Sequence, residues 1–440
     1  MSSESPNDAG GVDAVRAPLM SRRRLLQAAA LAGLSVGAVG CATDTNNAKD
    51  LSLWMWKNSC SPDLLAPLAQ GIPDAAPATL TPNVIGGDFK SKLLITLAGR
   101  SHVPDLTFIN SDIATYFPNA DQFVDLYTLG AKDLKKDFLP FKWNFGVTPG
   151  GKMIGFPMDT GPTATFYRYD LLSKAGLPHE PSTLAAEVDT WAKYIDFGKQ
   201  VKSAVKGGVM TPTLSAIYTQ VMSQSPKQYV DAQGHPIYSE AHVQNAWEIA
   251  VKAFEAGISG NAQQSTDQTA LLASGKQVAQ VNAVWWVNGG PEQLAPNTKG
   301  NWRICPAPAG PGNYGGSFVA ISKYCKDPEA AWKFIAFLES KDSEVLNLSE
   351  MFLFPSRYDA LADPAIAKPY PFFGGQRILE PFAASAKGVP ITYNSPYDSL
   401  VNTPITNELT NVEATGKSPT QAWNDAMRSA KRELGRIGVV

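Results

Sequence analysis

The sequence predicts a two-lobed α/β protein, and three observations carry that prediction. The chain has 440 residues, more than one hydrophobic core usually organises. Apolar and aromatic runs over residues 50–56 and 104–110 are typical of strands, and segment 89–97 between them has the pattern of a helix. Alternating strands and helices favour mainly parallel sheets. Ligands bind beyond the carboxyl ends of such strands, so polar or aromatic residues that follow a strand are candidates for a site.

Three later segments repeat apolar residues at helical spacing: 184–195, 243–254 and 331–338. The residues expected to cap or open these helices are Ser182, Ser239 and Asp327. Each apolar stripe is interpreted as core packing. The tryptophans assigned to the core in this way are Trp191, Trp247 and Trp332.

The N-terminus has the layout of a cleavable export signal. Residues 21–26 resemble a twin-arginine motif, and the uncharged run 28–40 is too short to span a bilayer comfortably. Small residues then lead directly to Cys41, where a lipoprotein signal places its modified cysteine. We expect Cys41 to carry the lipid that anchors the exported protein to the cell membrane. The alternative is a signal peptide without lipidation, and Met20 competes with Met1 as the start.

Charge and cysteine content restrict the possible partners. The formal net charge is −2, so the protein offers no general attraction for nucleic acid or an anionic membrane. Apart from Cys41, the cysteines are Cys60, Cys305 and Cys325, and the sequence leaves open whether two of them pair. The four histidines are scattered, so we expect no metal site and no cofactor.

Four stretches together resemble a known family. Residues 99–105 end in a Pro-Asp pair that leads into a strand, and residues 151–170 and 305–323 resemble two crossings between lobes. Residues 327–338 resemble the helix that follows the second crossing. In this order, behind a lipoprotein signal, they identify the chain as resembling the family 1 extracellular solute-binding proteins of ABC importers. The best-known members of that family bind maltose and other sugars.

The resemblance implies a periplasmic-binding-protein fold of type II-like form, with hinge-linked lobes and a central ligand cleft. It implies this division: signal peptide 1–40, tether 41–49, first lobe 50–157 with about 317–360, and second lobe 158–316 with about 361–440. The implied partners are a small sugar and the permease subunits in the membrane. The protein is expected to be an extracytoplasmic monomer and not an enzyme.

The candidate site follows from the shape of a sugar. A pyranose has an apolar face that needs a flat aromatic ring, and hydroxyls that need planar polar side chains. The candidate ligand-binding residues are Trp56, Asn110, Asp112, Asp159, Trp285, Trp286, Gly316, Ser317, Arg357 and Tyr397. Arg357 and Tyr397 are chosen by resemblance to recurring family positions. Adjacent strand residues face opposite ways, so one of Trp285 and Trp286 is expected to face the cleft while the other packs.

Other functions stay open at this point. An exported carbohydrate-active hydrolase would also use aromatics, but it needs two opposed carboxylates that no local motif marks. A binding protein for another polar solute, such as a glycerophosphodiester, fits the same fold. A structural surface protein is disfavoured because the chain lacks repeats. The Gly-rich run 310–315 spells a nucleotide-binding pattern, but segment 317–321 after it is strand-like rather than helical.

Overall fold

The computed structural model describes residues 49–439 of the chain. The predicted signal peptide, the lipidation at Cys41 and the tether up to residue 48 lie outside these residues. Within them, the strands are β1 (Asp50–Met55), β2 (Thr79–Val84), β3 (Leu106–Ile109), β4 (Phe156–Pro157), β5 (Asp159–Thr160), β6 (Thr163–Arg168), β7 (Ala279–Ala283), β8 (Trp302–Pro306), β9 (Phe318–Ile321) and β10 (Phe354–Pro355).

These strands form two main sheets, and most neighbouring strands are antiparallel. The first sheet has the order β2-β1-β3-β9-β4 and the second sheet has the order β7-β6-β8. Strand β1 runs parallel to β2 and β3, whereas β9 runs antiparallel to β3 and β4. The second sheet and the short β5–β10 pair are antiparallel throughout. The expectation of mainly parallel strands was therefore wrong, because β9 reaches the first sheet only after the chain has built the second.

The helices of the described residues are α1 (Pro62–Leu65), α2 (Phe89–Gly99), α3 (Pro140–Phe145), α4 (Tyr169–Lys174), α5 (Pro181–Glu187), α6 (Trp191–Ala204), α7 (Leu214–Ser223), α8 (Ala241–Ala256), α9 (Ser265–Ala273), α10 (Pro328–Leu338), α11 (Lys341–Met351), α12 (Tyr358–Leu361), α13 (Leu379–Gly388), α14 (Asp398–Thr415) and α15 (Pro419–Arg436). No helix in this part of the chain has the length and apolar content needed to cross a membrane.

Helix caps confirm one predicted boundary and correct two others. Asp327 caps α10, and its Oδ1 accepts a hydrogen bond from the Ala330 amide at 2.9 Å. The single helix predicted over 184–195 is instead α5 and α6, because Thr190 starts a new helix by accepting from the Lys193 amide at 3.2 Å. Helix α8 is preceded by Glu240 rather than by the predicted Ser239.

Both sheets are buried on both faces. In the first sheet, Leu53 packs with helix α10 on one face, while Phe318 packs with helix α2 on the other. In the second sheet, Tyr167 faces helices α6 to α8, α14 and α15, and Phe166 faces α13. A sheet covered on both faces requires nearly continuous apolar strands, and all six residues of β6 are buried.

Two chain segments link the sheets and lie against each other. The Tyr314 amide donates to the Gly161 carbonyl at 2.7 Å, and the Gly161 amide donates to Asn313 Oδ1 at 2.8 Å. A Cβ atom on residue 161 would lie 2.0 Å from the Tyr314 carbonyl oxygen, so only glycine permits this approach. The two crossings therefore form one tight ribbon between the sheets.

Cysteine pairing, which the sequence left open, is absent from the described residues. Cys60, Cys305 and Cys325 are all free. Burial raises the pKa of the Cys60 and Cys305 thiols to about 12, so both thiols stay protonated at neutral pH.

Candidate binding cleft

A cavity of about 260 Å³ opens where the first sheet faces the helices of the second. The first-sheet side is the segment after β3, residues 111–115, and the linking ribbon contributes residues 313–315. The opposite side is formed by α7, by the turn at residues 225–230 and by the segment 389–397, which we name the strap. We call this cavity the cleft. It lies beyond the carboxyl end of β3, where the sequence predicted a site.

A second cavity of about 490 Å³ adjoins the cleft. Thr219 and Tyr314 line both cavities. Three buried amide side chains line the second one, and they are Gln220, Gln280 and Asn282. The Gln220 Oε1 atom has no hydrogen-bond partner within the described residues. Buried amides offer both donors and acceptors, so the second cavity is suited to a ligand with many hydroxyl groups.

An aromatic pair borders the second cavity, and one of its two members, Tyr314, also lines the cleft. The ring centroids of Trp285 and Tyr314 are 5.7 Å apart, and the rings are inclined at 45°. Trp285 Nε1 donates to the Tyr314 carbonyl oxygen at 3.1 Å, which fixes the indole against the linking ribbon. Tyr314 is 41% exposed, so its ring offers a flat apolar surface to a ligand. Tyr314 was not among the residues predicted from the sequence, although it lies in the predicted crossing 305–323 and two residues before the candidate Gly316.

Trp286 is a buried residue beside the partly buried Trp285, and both line the second cavity. Trp286 is 8% exposed and packs edge-to-face on Phe166 and Trp302, at centroid distances of 4.9 and 6.0 Å. The two tryptophans thus differ in burial, but neither lines the cleft, and the strand geometry expected for them was wrong. Strand β7 ends at Ala283, and the pair lies in the turn and helical segment that follow it.

The candidates after β1 and β3 have three different environments. Asp112 lines the cleft, where its carboxylate forms an ion pair with Lys90. The Asn110 Oδ1 atom accepts from the Ser111 amide at 3.2 Å, a local turn contact outside both cavities. Trp56 packs edge-to-face against Phe89 at 5.4 Å and lines neither cavity. Only Asp112 of these three is therefore in a position to contact a ligand in the cleft.

Asp159, Gly316 and Ser317 lie outside the cleft, in contrast to the prediction for them. The Ser317 amide donates to the Asp159 carbonyl at 3.3 Å, and both residues are buried. Gly316 has φ +93°, and a Cβ there would lie 2.6 Å from the same carbonyl oxygen. The glycine is therefore needed for backbone packing. Asp159 follows the first crossing as predicted, but its side chain points into the protein interior.

Asp159 belongs to a buried charged group that we name the junction cluster: Lys142, Asp159, Glu339 and Glu344. A cavity of about 10 Å³ is lined by its three carboxylates. Asp159 Oδ1 and Glu339 Oε1 have no hydrogen-bond partner within the described residues. The Lys142 ammonium lies 3.4 Å from the centre of the Phe318 ring, and burial lowers its pKa to about 7. Burial also raises the pKa of Asp159, Glu339 and Glu344, the last to about 8.

Arg357 and Tyr397 also lie outside both cavities. The Arg357 guanidinium is held by Asp359 in two hydrogen bonds of 3.0 and 2.9 Å and lies 5.0 Å from the Phe138 ring centre. Tyr397 packs against the core of the second sheet. Its neighbours Pro396 and Asp398 line the cleft instead. The family resemblance by which both were chosen therefore led to a cleft segment for Tyr397 but not for Arg357.

Asp398 is a cleft residue that the sequence analysis missed. Its Oδ2 accepts from the Ser395 amide at 2.8 Å, and its Oδ1 accepts from the Tyr229 amide at 3.3 Å. Burial raises the pKa of this carboxyl to about 7. The Tyr229 hydroxyl donates to Asn402 Oδ1 at 2.9 Å and extends the network along the same wall. A strap without regular structure gives no periodic signal, so only the folded chain shows this arrangement.

The lining of the two cavities restricts the ligand. Within residues 49–439, neither cavity is lined by a lysine or arginine, and no group of His, Cys, Asp or Glu side chains could hold a metal ion. The polar groups are amides, hydroxyls and the carboxylates of Asp112 and Asp398. Such a surface suits an uncharged, hydroxyl-rich solute and disfavours a strongly anionic one.

Comparisons with known proteins agree with this architecture. The family profile described as "Bacterial extracellular solute-binding protein" matches residues 79–345. The lactose-binding protein of Rhizobium radiobacter is 26% identical over 411 residues, which cover 88% of this chain and 93% of that protein. A crystal structure of an extracellular solute-binding protein of family 1 has a TM-score of 0.81 at 24% identity, and the match covers 87% of this chain and 99% of that one.

A second similar structure is the galacto-N-biose/lacto-N-biose I-binding protein of the ABC transporter from Bifidobacterium longum, in complex with lacto-N-biose. Its TM-score is 0.73 at 18% identity, over 88% of this chain and 98% of that one. These superpositions confirm the predicted two-lobed periplasmic-binding-protein fold. The profile covers more than half of the chain and includes both crossings between the sheets. The chain therefore belongs to the bacterial extracellular solute-binding protein family.

Proposed function

We propose that the protein captures a carbohydrate between its two lobes and delivers it to the permease of an ABC importer, without transforming it. The observation that carries this proposal is the Trp285–Tyr314 pair at the second cavity, because Tyr314 also lines the cleft and both cavities are lined by amide and hydroxyl groups. Aromatic faces bind the apolar face of a pyranose, and amides bind its hydroxyls. The lactose-binding and lacto-N-biose-binding proteins named above support a sugar as the ligand class.

The proposed binding residues differ from those expected from the sequence. Those retained are Asp112 and Trp285. Those added are Tyr314, Gln280, Asn282 and Asn402, because each lines at least one of the two cavities. The lobes are proposed to follow the predicted division, 50–157 with about 317–360 and 158–316 with about 361–440. Two observations support it: β9 joins the first sheet, and helices α13 to α15 pack on the second.

The decisive experiment combines binding with product analysis. We expect a thermal-shift screen of lactose, lacto-N-biose, arabinooligosaccharides and glycerophosphodiesters to show stabilisation by at least one saccharide, because a ligand of the folded state raises its stability by mass action. Calorimetric titration then gives the affinity, and chromatography of the mixture tests for cleavage. Stabilisation by phosphodiesters alone would contradict the sugar proposal. Released monosaccharides would show a hydrolase instead.

Membrane attachment through Cys41 is a separate part of the proposal. The arginine-rich segment 21–26 and the small residues before Cys41 support it. Replacing Cys41 with Ser should move the protein from the membrane fraction to the medium, since two acyl chains are needed for stable anchoring. The matched control is Cys325→Ser, which should stay on the membrane. A Cys41 variant that also stays there would contradict the anchor. Size-exclusion chromatography of the variant should give a monomer.

A further inference from the structure

The strap and the turn at residues 225–230 form one continuous wall of the cleft. The strap connects α13 to α14 without regular secondary structure. Backbone amides in such segments need acceptors other than a neighbouring strand or helical turn. One direct contact joins the two segments: Thr392 Oγ1 donates to the Ser225 carbonyl at 3.2 Å.

Asp398 supplies the acceptor that both segments share. It is the first residue of α14, and its carboxylate accepts from Ser395 of the strap and from Tyr229 of the turn. Each carboxylate oxygen accepts a hydrogen bond from one of these backbone amides, so both oxygens are needed to join the strap to the turn. Hydrogen bonds to an ionised acceptor are roughly twice as strong as those between neutral groups.

We propose that Asp398 is a positioning residue of the cleft, whose carboxylate fixes the strap to the turn so that the polar side chains of both segments face one ligand. The inference rests on the proposed function only for the choice of a sugar as probe. Asp398 acts through the backbone of Ser395 and Tyr229, and its removal should leave those segments in place but loosely held.

The groups around Asp398 make its titration easy to recognise. The titratable side chains that interact with it are the Tyr393 phenol from the strap and the Tyr229 phenol from the turn. Asp231, further along the turn, acts on the Tyr393 phenol. Burial raises the pKa of both phenols above their ordinary value, so they stay neutral between pH 5 and 9. The pKa of Asp231 is lowered: burial acts to raise it, but the hydrogen bonds from His235 and Gln233 outweigh burial. The Asp231 carboxylate is therefore charged throughout this pH range.

Amide hydrogen exchange tests the contact without any ligand. In Asp398→Asn, the amides of Ser395 and Tyr229 should exchange at least about tenfold faster than in the wild type, because the charged acceptor is lost. The matched control is Asp363→Asn: this aspartate accepts from the Ala365 amide at 3.0 Å in the same local manner but lines neither cavity. Its substitution should speed exchange at Ala365 alone. Unchanged exchange at Ser395 and Tyr229 in Asp398→Asn would overturn the proposal.

The pH profile of binding distinguishes positioning from a merely structural role. Wild-type affinity for lactose should fall roughly tenfold from pH 8.5 to pH 5.5 as the carboxylate is protonated. Asp398→Asn should bind at the weaker level at every pH, and Asp363→Asn should follow the wild type. A pH-dependent affinity in Asp398→Asn equal to that of the wild type would overturn the proposal.

Two further measurements keep the outcome clear. If Asp398→Asn does not fold, the amide chemical shifts of Ser395 and Tyr229 in the wild type decide the question: they should titrate together with a midpoint near 7, and shifts that stay constant would contradict the proposal. If the wild type binds no saccharide, the proposed function fails, whereas the exchange and titration results still decide the role of Asp398.

Discussion

The cleft and the junction cluster both contain carboxylates, but the two regions hold them in different ways. In the cleft, Asp398 accepts two backbone amides and Asp112 pairs with Lys90. In the junction cluster, Asp159 and Glu339 each have an oxygen without a partner. Burying an unpaired polar group costs free energy. The carboxylates of the cleft therefore position a surface that a ligand can reach. Those of the junction cluster are instead buried where three chain segments meet, and their burial is electrostatically unfavourable.

The largest expected effect breaks the balance of charge in the cluster. Lys142 is its one cation within the described residues, and it is 1% exposed. Lys142→Met should lower the free energy of unfolding by about 3–5 kcal/mol, because removing one partner leaves the buried carboxylates uncompensated. The loss should be greater at pH 8 than at pH 5, where the carboxylates are protonated.

Chemical denaturation at both pH values measures this effect. The matched control is the exposed Lys333→Met, which should change the free energy of unfolding by less than about 0.5 kcal/mol. Equal stability of the two variants would contradict this prediction, because it would show that the carboxyl groups of the cluster need no compensating charge from Lys142.

The adjacent tryptophans extend the comparison to aromatic residues, because Trp285 is partly buried at the second cavity and Trp286 is buried in the core. Trp285→Ala should weaken sugar binding by about 1–3 kcal/mol, because it removes contact area in the cavity. Trp286→Ala should instead lower the free energy of unfolding by about 3–5 kcal/mol, as a large-to-small core substitution does. Calorimetric titration and an unfolding curve of each variant separate the two effects. If both variants melt early and Trp285→Ala binds normally, the aromatic platform lies elsewhere.

The smallest expected effect concerns Asp159, which the sequence had assigned to the ligand. Burial raises the pKa of this carboxyl, so the folded state favours its protonated form. Its contribution to stability is therefore full at low pH and is lost as the pH rises above about 4. Asp159→Asn should raise the free energy of unfolding by about 1 kcal/mol at pH 8 and by nothing near pH 3.5.

Binding provides the second readout for this variant. Sugar affinity in Asp159→Asn should match that of the wild type, since Asp159 lines neither cavity. A clear loss of affinity with unchanged stability would restore the original assignment of Asp159 to the ligand site.

Local signals in the sequence predicted local structure well. The apolar run at β1 and the Asp327 cap of α10 lie where expected, because strand patterning and caps depend on neighbours in the chain. The direction of β9 was not predictable, since it depends on the path through the whole second sheet. The same holds for the side chains of the site. Asp159 follows the crossing as predicted. However, Ser317 and helix α11, which lie far along the chain, pack around Asp159 and bury it in the junction cluster.

The position of β9 along the chain has a consequence for synthesis of the protein. Leu106 of β3 pairs with Ile321 of β9, so the first sheet stays incomplete until the ribosome has made nearly three-quarters of the chain. Until then, the edge of β3 exposes unpaired backbone groups that favour aggregation. Such non-local pairing also slows folding. A truncation before residue 318 would remove β9 and leave the β3 edge of the first sheet unpaired.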